Sequence, residues 1–392
     1  MSHPAPIKVP LLDLPRAHEV LAEELREAFE RVLTSGRFVL GPEVDAFEAE
    51  MASYLGIDRA IAVSSGTDAL IAALMALDIG PGDEVLCPGF SFFATASSIA
   101  RVGAVPVFAD VCPHSFNSCA KDFESLISER CRAILVVHLF GRCAEMDSIL
   151  ELAKQHQLPV IEDAAQALGS TDGEVFAGTM GVVGCFSFFP TKNLGGLGEG
   201  GLLCTNDAAL ADRLRSLRSH GESRKYHHAE LGGNFRMDAL QAALLRVKLP
   251  HLDDYNGKRR TNATLYQELL LETGLCTIAP EAVENIPIEL SDASHVGHIF
   301  HQYVLRVKPT AARGALRDHL LQAGVQSEVY YPKALHLQAC FAHLDAQQGD
   351  LPVAERLATE VLALPICPET NDGQIRYVVD AIADFFRRRQ PS

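Results

Sequence analysis

Between about Ala60 and Asn206, short apolar, β-branched runs alternate with amphipathic helical stretches. The runs are AIAV, EVLC, VPVFAD, AILVVHLFG and LPVIEDA. They are apolar throughout rather than at every second residue, which predicts parallel strands covered on both faces. The alternation of run and helix specifies an α/β domain. After VSSGT, residues Leu70, Ile71, Leu74, Met75 and Leu77 recur at helical spacing, so the Gly66–Thr67 turn leads directly into a helix. Backbone amides at such a junction point outward.

Further along, NFRMDALQAALLRVKL predicts a helix and LPHLDDYNGKRRTNATLYQELL a long helix entered through a proline. The rhythm then changes. HIFHQYVLRV and VQSEVYY predict strands, ARGALRDHLLQAG and DGQIRYVVDAIADFFRRR helices. The change places a boundary near Pro250, with a large domain over residues 1–250, N-terminal segment included, and a smaller C-terminal α/β domain over 251–392.

With 392 residues, 48% of them apolar, the chain is able to bury a sizeable core. Its net charge of −16 leaves no long basic stripe to follow a nucleic-acid backbone, so nucleic acid is not expected as a partner and any anionic substrate must be held by local groups. No run approaches the ~20 apolar residues that span a bilayer, and MSHPAPIKVPLLDLPRAHEV lacks the apolar core of a signal peptide. The expectation is a cytoplasmic protein without a membrane partner. The ten cysteines are scattered, none in a C-x-x-C pair, and several fall in apolar runs such as EVLCPG and GLLCTND. They are expected as reduced core residues, with no metal site.

Three stretches offer chemistry. IEDAAQALG ends an apolar strand on Glu162 and Asp163, where open parallel sheets bind ligands, although one acid capping the next helix accounts for it equally. SSGTDAL places Ser65, Gly66 and Thr67 before a helix, suited either to an anion or to simple capping. In GCFSFFPTKNLGGLGEGG, Lys192 follows Phe186, Ser187, Phe188 and Phe189. A lysine in apolar surroundings loses hydration and favours the neutral amine that attacks a carbonyl, whereas a lysine on a solvated loop does neither. Gly196, Gly198 and Gly201 match G-x-G-x-x-G, but LLCTND after them reads as a strand and not as the helix a dinucleotide site requires.

In this order, SSGTDAL, PGFSFFATA, HLFG, EDAAQALG, FSFFPTKNLGGLGEGG and GGNFRMDALQAAL resemble the DegT/DnrJ/EryC1/StrS family of nucleotide-sugar aminotransferases, and HQYVLRV, YPKALHLQ and LALPICPE extend the resemblance over nearly the whole chain. The resemblance implies the fold-type I aminotransferase architecture, a large domain on a mixed, mostly parallel sheet with a smaller α/β domain. It also implies pyridoxal 5'-phosphate as cofactor and homodimers with shared active sites. By position, Lys192 matches the lysine that binds the cofactor aldehyde and later moves the proton between donor and cofactor. Asp163 matches the acid on the pyridine nitrogen; Gly66, Thr67 and Ser187 the phosphate contacts; Phe92 the aromatic stacked on the ring; Gln166 the residue on the ring-hydroxyl side. Asn234 matches an asparagine that reaches the neighbouring subunit's cofactor phosphate. His138 lies at a family motif position, open to a role near the cofactor or to that of a hydrogen-bonded core histidine.

The implied reaction moves an amino group from a donor, glutamate in most of the family, to a nucleotide-linked keto sugar. ESRKYHHAELGGNFRMD is similar to members that act at C3, while other branches act at C4 or C5. Arg224, Lys225, Tyr226, His227 and His228 offer cationic and hydrogen-bonding groups to a pyrophosphate, or form an exposed polar loop. Phe189 stands where some C3-acting members have tyrosine, and Tyr330–Tyr331 where HYP is common, so these three are expected to meet the sugar. A non-catalytic sensing or structural relative remains the alternative, and retention of both Lys192 and Asp163 weighs against it.

Overall fold

The computed structural model describes residues 8–278, 286–291 and 293–389. The first seven residues, part of the stretch read above for a signal peptide, lie outside this set.

The chain forms strands β1 (Arg59–Val63), β2 (Glu84–Pro88), β3 (Val105–Ala109), β4 (Cys131–Val137) and β5 (Val160–Asp163), then a short hairpin, β6 (Thr171–Asp172) and β7 (Val175–Phe176). Next come β8 (Val183–Ser187), β9 (Gly201–Thr205) and a second hairpin, β10 (Glu222–Arg224) and β11 (His227–His228). The later strands are β12 (Cys276–Ile278), β13 (Ile288–Leu290), β14 (Tyr303–Val307) and β15 (Val361–Leu364).

Seven strands make one sheet in the order β1-β9-β8-β5-β4-β2-β3. β9 pairs antiparallel with both β1 and β8, and the remaining pairs are parallel, so β9 alone runs against the rest. The five apolar runs thus occupy the strands expected of them. In β4, Ala133, Leu135 and Val137 enter one apolar cluster and Ile134 and Val136 another, which is why the run shows no polar alternation.

Because six strands share a direction, their carboxyl ends lie along one edge. Asp163 ends β5, Ser187 ends β8, and Ser65 follows β1 as the N-cap of the helix Gly66–Ala76. β9 enters at that same edge, where Gly201 pairs with both Val63 and Ser187.

The small sheet runs β12-β13-β14-β15 and packs with the helices Thr310–Gln322, Pro352–Glu360 and Asp372–Arg387. A long helix, Leu252–Glu272, follows the 3-10 turn Leu249–His251 that contains the proline. Three expectations need trimming. Asn234–Arg236 is extended, bridging Ser219 and Val63, and the helix begins only at Ala239. HIFHQ precedes β14 without joining it, and VQSEVYY contributes single bridges at Val325 and Glu328 in place of a strand. Val9 pairs with Val325, so the chain at Val9 lies on the C-terminal part.

All ten cysteines lie among the described residues, none in a disulfide; eight are buried and Cys340 is exposed. Among the described residues no helix is long and apolar enough to cross a membrane.

Candidate active site

A cavity of about 440 Å³ opens at the carboxyl edge of the large sheet. Gly66, Thr67, Phe92, Asp163, Gln166, Ser187, Phe189, Lys192, Tyr330 and Tyr331 line it together. Residues up to 265 apart in sequence therefore converge on one space.

One wall is the helix Gly66–Ala76. Ser65 Oγ accepts from the Asp68 amide at 3.0 Å, so the cap takes one first-turn donor, while the amides of Gly66 and Thr67 face no intrahelical acceptor. Glycine at 66 is a packing requirement: a Cβ there would meet the Ser187 Cβ at 2.7 Å. The Ser187 hydroxyl is thereby held beside the positive end of the helix, an arrangement suited to a phosphate.

Asp163 is buried. Thr95 Oγ1 donates to its Oδ2 at 2.8 Å and the Ala165 amide to its Oδ1 at 3.2 Å. Burial raises its pKa above the ordinary carboxylate value, against the lowering effects of Thr95, the Ala165 amide, Lys192 and His138. With one donor on each oxygen, the carboxylate keeps lone pairs for a cationic N–H in the cavity.

Lys192 lies in the connection from β8 to β9. That loop is closed by Phe188 N–H to Gly200 O, Gly196 N–H to Phe188 O and Lys192 N–H to Phe189 O, each 2.8 Å. Gly195 is needed because a Cβ would run into the Pro190 carbonyl. Burial lowers the pKa of the lysine amine to about 8, partly opposed by the charge of Asp163. The glycines are thus followed by a strand, as expected, and serve a tight lysine loop.

Glu162 and Asp163, adjacent on β5, point to opposite faces of the sheet. Glu162 accepts from the amides of Gly178 and Met180 at 2.7 Å and Gly181 at 2.5 Å, and from His138 Nε2 at 2.8 Å. His138 Nδ1 accepts from the Ala144 amide at 3.1 Å, which fixes the proton on Nε2. Fully buried and committed at both nitrogens, His138 has the hydrogen bonding of a core histidine.

On the opposite wall, Gln166 donates through Nε2 to the Tyr331 hydroxyl at 2.9 Å, and its Oε1 accepts from the Phe140 amide. Burial pushes the Tyr331 phenol above its ordinary pKa. Phe92, 54% exposed, stands 6.0 Å from the Tyr331 ring, and Phe189 is 44% exposed at the cavity.

The structure does not bring Arg224, Tyr226, His227 and His228 to this cavity. They form the exposed β10–β11 hairpin, with Tyr226 80% exposed at a positive φ and Lys225 over its ring. A two-residue connection projects these side chains into solvent, so within one chain they are a polar hairpin. Asn234 is likewise exposed and lines no part of its own chain's cavity. Sequence reading missed Ser91, Thr191, Glu199, His301 and Gln302 as lining residues. The carboxyl-edge rule was available for Ser91; His301 and Gln302 were hidden inside an apparent strand.

Residues 19–383 match the family described as the DegT/DnrJ/EryC1/StrS aminotransferase family. The chain belongs to that family. It is a pyridoxal-phosphate-dependent aminotransferase of fold type I. It is 44% identical over 381 residues to a "pleiotropic regulatory protein" of Geobacillus stearothermophilus, covering 97% of this chain and 99% of the relative. It is 43% identical over 375 residues to a UDP-N-acetyl-3-dehydro-alpha-D-glucosamine 3-aminotransferase of Acidithiobacillus ferrooxidans, covering 95% and 97%. Among solved structures, S. venezuelae DesV in complex with a ketimine intermediate superimposes with a TM-score of 0.90 at 40% identity, covering 98% of this chain and 100% of that one.

The residues present in this aminotransferase fit the cofactor. A glycine-tight helix N-terminus and a serine suit its phosphate, a buried acid its ring nitrogen, and a lysine of lowered pKa its aldehyde. Phe92 and Gln166 stand on the walls between them.

Proposed function

We propose that this aminotransferase transfers an amino group from an amino-acid donor, L-glutamate, to C3 of a nucleotide-linked 3-keto sugar in amino-sugar biosynthesis, acting in the cytoplasm as a homodimer with shared active sites. The observation that supports catalysis is the convergence of Lys192 and Asp163 on one cavity with the Gly66–Thr67 helix end and Ser187. It favours an enzyme over the regulatory role in the Geobacillus relative's name. The C3 assignment draws on the named substrate of the Acidithiobacillus relative.

In this reading Gly66, Thr67 and Ser187 hold the phosphate, Asp163 keeps the ring nitrogen protonated, and Phe92 and Gln166 set the ring's plane and its hydroxyl side. Bound pyridoxal phosphate supplies the electron sink for negative charge at the donor carbon. Lys192 would hold the cofactor through its amine, and its free amine would move the proton at the donor carbon. A lysine titrating at about 8 is available as a neutral base near neutral pH. Phe189, Tyr330 and Tyr331 face the sugar. Asn234 and the β10–β11 hairpin, exposed on their own chain, serve the cavity of the neighbouring subunit.

The test is a coupled screen of UDP- and dTDP-linked 3-keto and 4-keto sugars with glutamate, the new amine being located by NMR. A C3 amine is expected. Amination at C4, or a cofactor absorbance that no amino donor bleaches, would defeat the proposal.

A further inference from the structure

The loop that bears Lys192 is a partition between two cavities. Thr191 and Lys192 line the active cavity and also a second, smaller one of about 50 Å³, which Gly195, His18 and Lys248 help to wall. A loop with a cavity behind it depends on hydrogen bonds to keep its place. Asn193 Nδ2 donates to Asn256 Oδ1 at 2.7 Å, and the Leu197 amide donates to Gln241 Oε1 at 2.9 Å. Between these two ties the Gly195 carbonyl accepts from Lys248 Nζ at 2.6 Å.

Lys248 ends the helix Ala239–Lys248 and is buried, and its other partner is His18 Nε2, 2.9 Å away. Neither partner is an acid. An ammonium only donates, so the imidazole nitrogen accepts and the ring is neutral. Burial and the charge of Lys248 lower the His18 pKa in keeping with this. Burial also brings the Lys248 amine down to about 8, the charge of Glu369 partly opposing. A neutral amine still carries two N–H donors, so both bonds survive its titration. His18 lies on the helix Leu14–Glu19, whose N-cap Asp13 accepts from the Arg16 amide at 3.2 Å. Arg16 Nη1 donates to the Glu369 carbonyl at 3.1 Å, the Leu11 amide donates to Gln326 Oε1 at 3.0 Å, and Val9 bridges Val325. The stretch from Val9 to His18 is thus anchored on the C-terminal part of the chain and, at its other end, on Lys248.

We infer that Lys248 is a positioning residue for the Lys192 loop: tied to the Gly195 carbonyl and to His18 of the N-terminal segment, it stops the loop from yielding into the smaller cavity and so keeps the Lys192 amine buried and in place. Lys248 lines no part of the active cavity, so it acts through the loop and not on a substrate. The inference rests on the reading of Lys192 as the cofactor lysine.

The full-length protein tests it with Lys248→Met, which keeps the stem to Cε and removes the donor, and with Lys248→Arg, which keeps a cationic donor that the adjoining cavity has room for. Burial is what lowers the Lys192 pKa, so a loop that yields lets water reach the amine and raises it. After cofactor removal, the pH midpoint for recapture of pyridoxal phosphate by Lys192 should rise by about half a unit in Lys248→Met. In the reloaded protein the maximal rate at which L-glutamate bleaches the cofactor absorbance should fall about tenfold, with the half-saturating glutamate concentration within about twofold. Lys248→Arg should recover most of each. His18→Ala, on a helix with no buried residues, should move the midpoint and the rate the same way by smaller amounts, and it decides the matter where Lys248→Met does not fold. An unchanged midpoint or an unchanged rate in folded Lys248→Met, or an unchanged midpoint in His18→Ala, overturns the inference. Borohydride reduction and peptide mass mapping of the holoenzyme separate the two readings: an adduct on Lys248 or any other lysine overturns the functional proposal and this inference with it, whereas an adduct on Lys192 leaves the midpoint and the rate to decide.

Discussion

Thr95 and Asp163 are joined by a 2.8 Å hydrogen bond between residues 68 positions apart, with the Ser91 hydroxyl 2.9 Å from that of Thr95. Since the Thr95 hydrogen goes to the carboxylate, Ser91 must donate to Thr95, and the acid sits at the end of a directed relay. Removing Thr95 removes a group that lowers the Asp163 pKa, while the burial that raises it remains. The folded-state pKa therefore climbs. Thr95→Val should shift the acidic limb of the pH–rate profile upward by about one unit, measured as kcat/KM from pH 5 to 9; a limb that stays in place would exclude this control of Asp163.

The lysine loop makes a different pH prediction. With a pKa of about 8, roughly a quarter of Lys192 is neutral at pH 7.5, where an ordinary lysine is neutral at about one part in a thousand. Recapture of pyridoxal phosphate by the stripped protein should therefore rise with pH and level off above about 8.5. A rise that continues beyond pH 10 would mean that burial does not depress this amine. Lys192→Ala should bind cofactor reversibly and turn nothing over.

Gly66→Ala forces a methyl group against the Ser187 Cβ. Overpacking of this kind costs about 1–3 kcal/mol, and the strain falls where helix end and hydroxyl meet. Cofactor affinity, followed by fluorescence titration, should weaken about tenfold or more, with a smaller loss in thermal stability. Equal affinity in the variant would remove these two residues from the phosphate site.

His138 and Glu162 should behave as structural residues. Glu162→Ala leaves His138 and three backbone amides without their acceptor, a loss of about 3 kcal/mol or more that urea denaturation will measure. His138→Gln should lower stability yet leave the kcat of the folded fraction within about fivefold. A collapse of kcat at full stability would return His138 to the chemistry.

The proposed shared-site dimer has a direct check. Neither Lys192→Ala nor Asn234→Ala homodimers should be fully active, but mixing and refolding the two should regain activity through hybrids whose one site has both native residues. Absence of any gain, with dimers confirmed by sedimentation, would place Asn234 outside catalysis.

The convergence on one cavity was partly legible because the cavity is lined by strand ends. Local rules mark an apolar run ending in Asp163, a glycine before a helix, and a lysine between aromatic and glycine clusters, but leave helix capping and a solvated lysine loop open; the family resemblance, not these rules, singled them out. His301 was illegible for a physical reason: HIFHQYVLRV has the composition of a strand, and only a positive φ at Phe300, imposed by Arg259 from another element, breaks it. The helix Leu252–Glu272 concealed its role similarly. Its buried stripe includes Asn256, Arg259 and Asn262, so apolar periodicity gives no hint of which face is inside. The hairpin residues Arg224 to His228 were judged by chemistry alone, and exposure on one chain follows from the turn that bears them.

The β8–β9 connection has one further consequence. Ser187 at its start and Gly201 at its end are locked opposite each other in the ladder, and Lys192 hangs from the loop between them. In the proposed reading, with the phosphate at Ser187 and the aldehyde at Lys192, the length of this connection sets the span between the two ends of the cofactor. A residue added or lost within it would misplace one end or the other, whatever the new residue was. In the same reading, a change of sugar is met by side-chain changes on the cavity walls at Phe189, Tyr330 and Tyr331, which leave that span unaltered.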